Sequence, residues 1–228
     1  MLYNLIMKKI LEKKYILFDL DGTITDSYPA ITSSFLYAAE GYGLTFSDDD
    51  LASIIGPPLK ESFMRLLGVD GFEGWELVKK YREFYNAGGI FNCKVYPGME
   101  DLLASLNKAG KTVVVATSKP EDQAIRVLNY FGLDKEFALI AGDDQECTRA
   151  NKEDIIKYCL DRLGNPDVSD VVMIGDRQYD VTGAKKFGIT SIGVTFGYGG
   201  LRELTESGAD YIVNDTQELK ELLLNEKV

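Results

Sequence analysis

Short runs of consecutive apolar residues punctuate the chain, each ending in polar or turn residues. Tyr15-Ile16-Leu17-Phe18 leads into Asp19, Val113-Val114-Val115-Ala116 into Thr117-Ser118, and Val171-Val172-Met173-Ile174 into Gly175-Asp176. Thr190–Val194 and Tyr211–Val213 follow. Continuous apolar runs of this length, rich in β-branched residues, are the pattern of strands buried on both faces of a parallel sheet. Between them the apolar positions recur at helical spacing over 99–109, 121–131, 152–163, 179–187 and 217–224. Gly110, Gly132, Gly164 and Gly188 sit just past four of these segments, where glycine ends a helix. Alternating strands and helices predict an α/β three-layer sandwich built from right-handed crossovers. In such sheets the ligand lies beyond the carboxyl ends of the strands. The polar residues after the first three runs should therefore converge.

The rhythm breaks over residues 28–93. Helical spacing covers 30–40, 49–55, Leu59–Leu67 and 75–85, with turns at Gly41-Tyr42-Gly43, Gly56-Pro57-Pro58 and Gly68-Val69-Asp70-Gly71. No strong strand appears there. The expected organisation is a core of residues 1–27 and 94–228 with an all-helical insert, 28–93, after the first strand. Pro29 and Pro97-Gly98 lie near the two crossings and suit hinges.

Composition narrows the chemistry. The 228 residues carry 25 basic and 36 acidic side chains, a formal charge of −11. That balance argues against nucleic acid or an anionic membrane as a partner of the whole surface. A small anion remains compatible if local cations or backbone N–H groups override the global sign. No run reaches the ~20 apolar residues of a membrane span. The lysines near the start follow the apolar residues instead of preceding them, unlike a secretory signal, so a cytoplasmic location is expected. Histidine is absent, which excludes histidine-based triads, histidine-ligated zinc and imidazole proton shuttles. Cys93, Cys147 and Cys159 are widely spaced and read as reduced structural thiols. Acid–base work falls to the remaining titratable groups.

Asp19-Leu20-Asp21-Gly22-Thr23-Ile24-Thr25-Asp26 is the strongest local signal. A carboxylate at a strand tip can act as a nucleophile, and a second one two residues on can exchange a proton with a leaving group or water. An Asp-Gly turn in solvent would read the same way in isolation, so the neighbouring strand ends decide. Gly175-Asp176-Arg177-Gln178-Tyr179-Asp180 adds two carboxylates. Oxygen donors at strand ends suit Mg²⁺, with Asp176 the better ligand and Asp180 a supporting or helix-capping group. Thr117-Ser118-Lys119 offers hydroxyl and backbone N–H groups for phosphate oxygens, although Thr-Ser before a helix commonly serves as a cap. Lys152, opening another helix, can supply a fixed cation.

Together these pieces resemble the haloacid dehalogenase superfamily of phosphohydrolases over residues 14–224. Its four motifs occur in order: Asp19-x-Asp21-Gly-Thr-x-Thr-Asp, Thr117, Lys152, and Gly-Asp176-x-x-x-Asp180. The resemblance implies a Rossmann-like core with a mobile cap inserted after the first strand. It implies Mg²⁺ held by Asp19, the Asp21 carbonyl and Asp176. Asp19 would form an aspartyl-phosphate, and Asp21 would protonate the leaving oxygen and then activate water. Gly22, Thr23, Thr117, Ser118, Lys119 and Lys152 would hold the phosphoryl group. Ala116-Thr117-Ser118-Lys119-Pro120, Gly197-Tyr198-Gly199 and Thr148-Arg149-Ala150-Asn151-Lys152 resemble the phosphoglycolate phosphatase-like branch and its 5′-nucleotidase-like members. Tyr179 departs from many such relatives, which carry histidine there.

The expected activity is Mg²⁺-dependent hydrolysis of a small phosphorylated metabolite, 2-phosphoglycolate or a nucleoside 5′-monophosphate, by a monomer or homodimer. A phosphomutase of the β-phosphoglucomutase type would use the same residues. A dehalogenase would need neither Asp21 nor Mg²⁺, and a receiver-type phospho-switch would be about half this length. Weaker candidates lie in the insert. Lys60 and Arg65 can bind an anion or simply be solvated, and Tyr37, Phe63, Phe84 and Tyr85 can line a pocket or form the insert's own core. The Gly56-Pro57-Pro58 loop can meet substrate or merely turn the chain. Asp26 can brace a hinge or cap a turn.

Overall fold

The computed structural model describes residues 10–55, 59–144, 149 and 151–225. The Gly56-Pro57-Pro58 loop, Cys147, Thr148 and Ala150 lie outside the described residues. The chain divides into two compact units, 1–25 with 95–228, and 26–94. In chain order the elements are β1 (Tyr15–Phe18), β2 (Thr25–Asp26), α1 (Tyr28–Ala39), α2 (Asp48–Ala52), α3 (Leu59–Leu67), α4 (Gly71–Ala87) and β3 (Lys94–Val95). They continue as α5 (Met99–Lys108), β4 (Thr112–Pro120), α6 (Glu121–Tyr130), β5 (Leu139–Asp143), α7 (Lys152–Arg162) and β6 (Val171–Gly175). The last are α8 (Gln178–Lys186), β7 (Thr190–Val194), α9 (Gly200–Ser207), β8 (Tyr211–Val213) and α10 (Thr216–Leu224).

The first unit is a six-stranded sheet of order β5-β4-β1-β6-β7-β8. Every neighbouring pair is parallel. Strand side chains alternate between two apolar layers. Ile16, Phe18, Val113, Val115, Val172 and Ile174 pack with Met99 and Leu102 of α5, Leu128 of α6 and Leu219 of α10. Leu17, Val114, Ala116, Val171 and Met173 face the other way, onto Ile155, Ile156 and Cys159 of α7 and Ala184 of α8. Burial on both faces explains why these strands are apolar without alternation; each large side chain so buried contributes about 1.5–3 kcal/mol. Cys93 and Cys159 are buried free thiols. Burial pushes the Cys159 thiol up to about 12, so it stays protonated and unreactive.

Strand order reverses at β1, which lies between β4 and β6. Phe18 sits level with Val115 on one side and Ile174 on the other. Asp19 therefore starts the next rung, and Thr117 and Asp176 stand one residue beyond it on the flanking strands. The Thr117-Ser118-Lys119 segment belongs to β4 itself, not to a helix start. It is the irregular stretch between Ala116 and Pro120, which pair with Ala141 and Asp143 of β5, and Pro120 precedes α6 without a side-chain cap. Besides the two-residue strands β2 and β3, edge strand β5, whose run is interrupted by Gly142, and α9 escape the sequence pattern.

The second unit is helical among its described residues; its end residues Asp26 and Lys94 each belong to a two-residue strand, β2 and β3, which pair as a ribbon. Its core centres on Phe35, stacked on Phe63 at 4.6 Å and met edge-on by Phe46 at 5.4 Å. Phe63 and Tyr85 are buried, while Tyr37 is 39% exposed and stacks on Phe84. Ser47 and Asp70 cap α2 and α4 by accepting from backbone N–H groups. Asp26 accepts from the Tyr28 N–H. Lys60 lies over the Trp75 ring, and Arg65 donates to Ser53. Among the described residues, no helix is long and apolar enough to cross a membrane.

Candidate active site

The loop after β1 turns sharply. The N–H groups of Thr23, Ile24 and Thr25 all donate to the Leu20 carbonyl, and the Gly22 N–H donates to the Thr25 carbonyl at 2.7 Å. Gly22 adopts φ +86°, and a Cβ there would lie 2.3 Å from Asp176 Oδ2. Conformation and close approach both require glycine. The turn brings the Thr23 hydroxyl within 3.4 Å of Asp176 Oδ1, to which it donates.

Lys152, the first residue of α7, is the buried centre of positive charge. Asn151 caps this helix by accepting from the Asp154 N–H. Lys152 Nζ donates to the Ala116 carbonyl at 2.9 Å. It also lies 2.8 Å from Asp19 Oδ1 and 2.8 Å from Asp180 Oδ1. Both oxygens are buried and meet the ammonium as contact ion pairs. Burial alone would lower the lysine pKa. The charges of Asp180 and Asp19 outweigh it and hold the ammonium above its ordinary value.

Asp19, Asp176 and Asp180 each offer an oxygen to one space, all within 4.8 Å of one another and all three side chains buried. Burial, then repulsion from Asp19 and Asp180, raises Asp176 well above the usual carboxylate range despite the Tyr198 N–H that donates to it. Asp180 is pushed up to about 6 by burial and by Asp19, against the pull of Lys152. Its Oδ2 also accepts from the Arg177 N–H at the start of α8. Three buried carboxylates around one lysine form a cluster with excess negative charge. A hard divalent cation among these oxygens would relieve it.

Lys119 is buried and donates to both carboxylate oxygens of Asp21, at 3.1 and 2.9 Å. Its backbone N–H donates to Thr117 Oγ1 at 3.2 Å. Thr117 is buried, whereas Ser118 is exposed on the opposite side of the strand. The structure thus brings together Asp19, Asp176, Asp180 and Lys152, links Thr23 to Asp176, and pairs Lys119 with Asp21. The clamp on Asp176 from Gly197 and Tyr198 was not part of the sequence-based site. Its signal was the glycine-rich run after β7.

A parallel sheet with a carboxylate at its central strand tip, a buried lysine beside it and further carboxylates at the next strand end is an arrangement suited to phosphoryl transfer. The haloacid dehalogenase-like hydrolase family matches residues 16–194, and the chain belongs to it, among its phosphatases. The chain is 38% identical to a 5′-nucleotidase of Pseudomonas aeruginosa over 91% of its own length and 94% of that protein. It is 40% identical to the tyrosine-protein kinase PtkA of Mycobacterium tuberculosis over 81% of this chain and 62% of that one. The crystal structure of a candidate phosphatase from Clostridium difficile superposes with a TM-score of 0.87 at 43% identity, covering 93% of this chain and 99% of that chain.

Proposed function

We propose that this protein hydrolyses a small phosphate monoester with Mg²⁺, through an aspartyl-phosphate on Asp19. The observation that carries this reading is the placement of Lys152 Nζ 2.8 Å from Asp19 Oδ1, beside the three converging carboxylates. Asp19, Asp176 and the Asp21 carbonyl would hold Mg²⁺, with Asp180 supporting them through Lys152. Bound there, Mg²⁺ supplies positive charge against the phosphoryl oxygens and the carboxylates.

Asp19 attacks phosphorus opposite the ester oxygen; the P–O ester bond breaks, and Asp21 gives its proton to the departing alkoxide. Water then attacks the phosphorus of the acyl phosphate, loses a proton to Asp21, and releases inorganic phosphate and the Asp19 carboxylate. The Thr117 hydroxyl and the Lys152 ammonium steady the phosphoryl oxygens as charge spreads over them. Lys119 orients Asp21 in the free enzyme. The helical unit is proposed as the cap, and the cytoplasm as the location. The P. aeruginosa relative's name favours a nucleoside 5′-monophosphate as substrate, with 2-phosphoglycolate second.

The test is phosphate release from a panel of nucleoside 5′-monophosphates, 2-phosphoglycolate and hexose phosphates, with Mg²⁺ or with EDTA. Mg²⁺-dependent turnover of a nucleotide or phosphoglycolate is expected. Release that is unaffected by EDTA, or none on any compound, contradicts the reading. Activation by a sugar bisphosphate would point to a mutase instead.

The raised carboxyl groups also set a pH dependence. A carboxyl whose pKa is higher folded than unfolded favours the fold below its unfolded value and loses that contribution as pH rises through the folded value. In EDTA, the contribution of Asp180 should therefore fall between pH 4 and about 6, and that of Asp176, also raised, should likewise be lost as pH rises. Mg²⁺ binds the ionised carboxylates, so its stabilising effect should grow with pH. Thermal melts with and without Mg²⁺ at pH 5 and pH 7.5 check this; an equal or larger Mg²⁺ shift at pH 5 contradicts it.

A further inference from the structure

We infer that Glu203 is a positioning residue for Asp176, bracing the two loops that hold this carboxylate in place. The inference rests on the metal role proposed for Asp176.

The loop after β7 lies directly on Asp176. The Tyr198 N–H donates to Asp176 Oδ2 at 2.7 Å. A Cβ on Gly197 would lie 2.3 Å from both Asp176 Cβ and the Gly22 carbonyl oxygen, so bare backbone is needed for this approach. One oxygen of the Asp176 carboxylate is thus oriented by a backbone N–H whose own position depends on a glycine-rich segment. Phe196, packed edge-on against Tyr96 at 4.8 Å, anchors one end of this segment before Gly197.

Glu203, in the first turn of α9, supplies a restraint at the other end. Its Oε1 accepts from Arg177 Nε at 2.9 Å and from the Gln178 N–H at 2.7 Å. Arg177 and Gln178 immediately follow Asp176, whereas Glu203 lies just beyond the loop that carries Gly197 and Tyr198. One carboxylate therefore ties the segment after Asp176 to the segment that clamps it. The Gln178 N–H opens α8 and has no partner within its own helix, so the contact also fills a helix N-terminal donor. The Arg177–Glu203 pair is largely shielded, with side-chain exposures of 19% and 23%. Charge-assisted bonds at such sites hold geometry better than solvent-exposed pairs do.

Without the brace, the segment after Asp176 is no longer tied to the loop that clamps it, and the carboxylate is held less firmly in its direction. Loss of a hydrogen-bonded support behind a metal ligand typically costs roughly tenfold or more in metal affinity. Glu203→Gln and Glu203→Ala are therefore expected to raise the Mg²⁺ dissociation constant about tenfold, with kcat at saturating Mg²⁺ and the substrate KM within about twofold of wild type. Glu206→Ala, on the same helix and paired only with exposed Arg202, should leave all three unchanged.

The experiment is calorimetric titration of Mg²⁺ alone into wild type, Glu203→Gln, Glu203→Ala, Glu206→Ala and Asp176→Asn. Phosphate release across a Mg²⁺ series accompanies it. Weakened Mg²⁺ binding in the Glu203 variants, with activity recovered at high Mg²⁺, is the expected result. Wild-type Mg²⁺ affinity in Glu203→Gln, or a lower kcat at an unchanged Mg²⁺ constant, overturns the inference while leaving the metal reading intact. Wild-type protein that binds no Mg²⁺ overturns both.

Discussion

Asp19→Asn is expected to lower kcat on the order of 10⁴-fold or more, the scale seen when a reacting group is removed from a coupled catalytic set. The amide keeps the shape of the carboxylate but is a poor nucleophile at phosphorus. Folding should survive. Asp19 adds to the repulsion that raises Asp176, so neutralising it removes a destabilising term. Lys152 loses one ion-pair partner yet keeps Asp180 and the Ala116 carbonyl. The expected signature is near-complete loss of phosphate release with only a small change in thermal midpoint. A large fall in the midpoint would mean that Asp19 is mainly structural.

Lys152→Met is expected to damage both activity and stability. It removes the cation nearest Asp19, which should cost roughly 10²–10³-fold in kcat, as loss of a transition-state donor does. It also leaves Asp19 and Asp180 buried without their cation. Breaking a buried pair by deleting one partner costs about 3–5 kcal/mol. Asp180, already raised to about 6, can escape part of that penalty by protonating, so the deficit should be smaller at pH 5 and grow as pH rises. Urea unfolding of both proteins at pH 5 and pH 7.5 measures it. A deficit that shrinks with pH would contradict the placement of Lys152 between two carboxylates.

The buried strands were readable because burial on both faces leaves an uninterrupted apolar run. Tyr15–Phe18, Thr190–Val194 and Tyr211–Val213 emerge with the ends the pattern predicts. Edge strand β5 was not readable, because Leu139 and Ile140 are only half-buried and Gly142 interrupts the run. The two-residue strands β2 and β3 are too short to have a period. Thr117-Ser118-Lys119 looks like a helix entrance in isolation; pairing of Ala116 and Pro120 with β5 on either side keeps it in the strand, and no local signal announces that.

The site divides along the same line. Asp19, Asp176 and Lys152 could be singled out because each directly follows a strand or opens a helix. Which side chains pair with which could not. Lys119 reaches Asp21 across 98 residues of sequence, and Glu203 reaches the Gln178 N–H across 25. Long-range side-chain pairing leaves no periodicity or spacing to read, so it appears only when the sheet order brings the loops together.

Covalent trapping tests the central claim most directly. The protein would be mixed with its best substrate and Mg²⁺, quenched in acid during turnover, reduced with borohydride and mapped by peptide mass spectrometry. Reduction of an acyl phosphate converts the aspartyl side chain to a primary alcohol. The expected result is substrate-dependent reduction at Asp19 alone. Reduction at another carboxylate, or none while phosphate is being released, would contradict a phosphoryl transfer through Asp19.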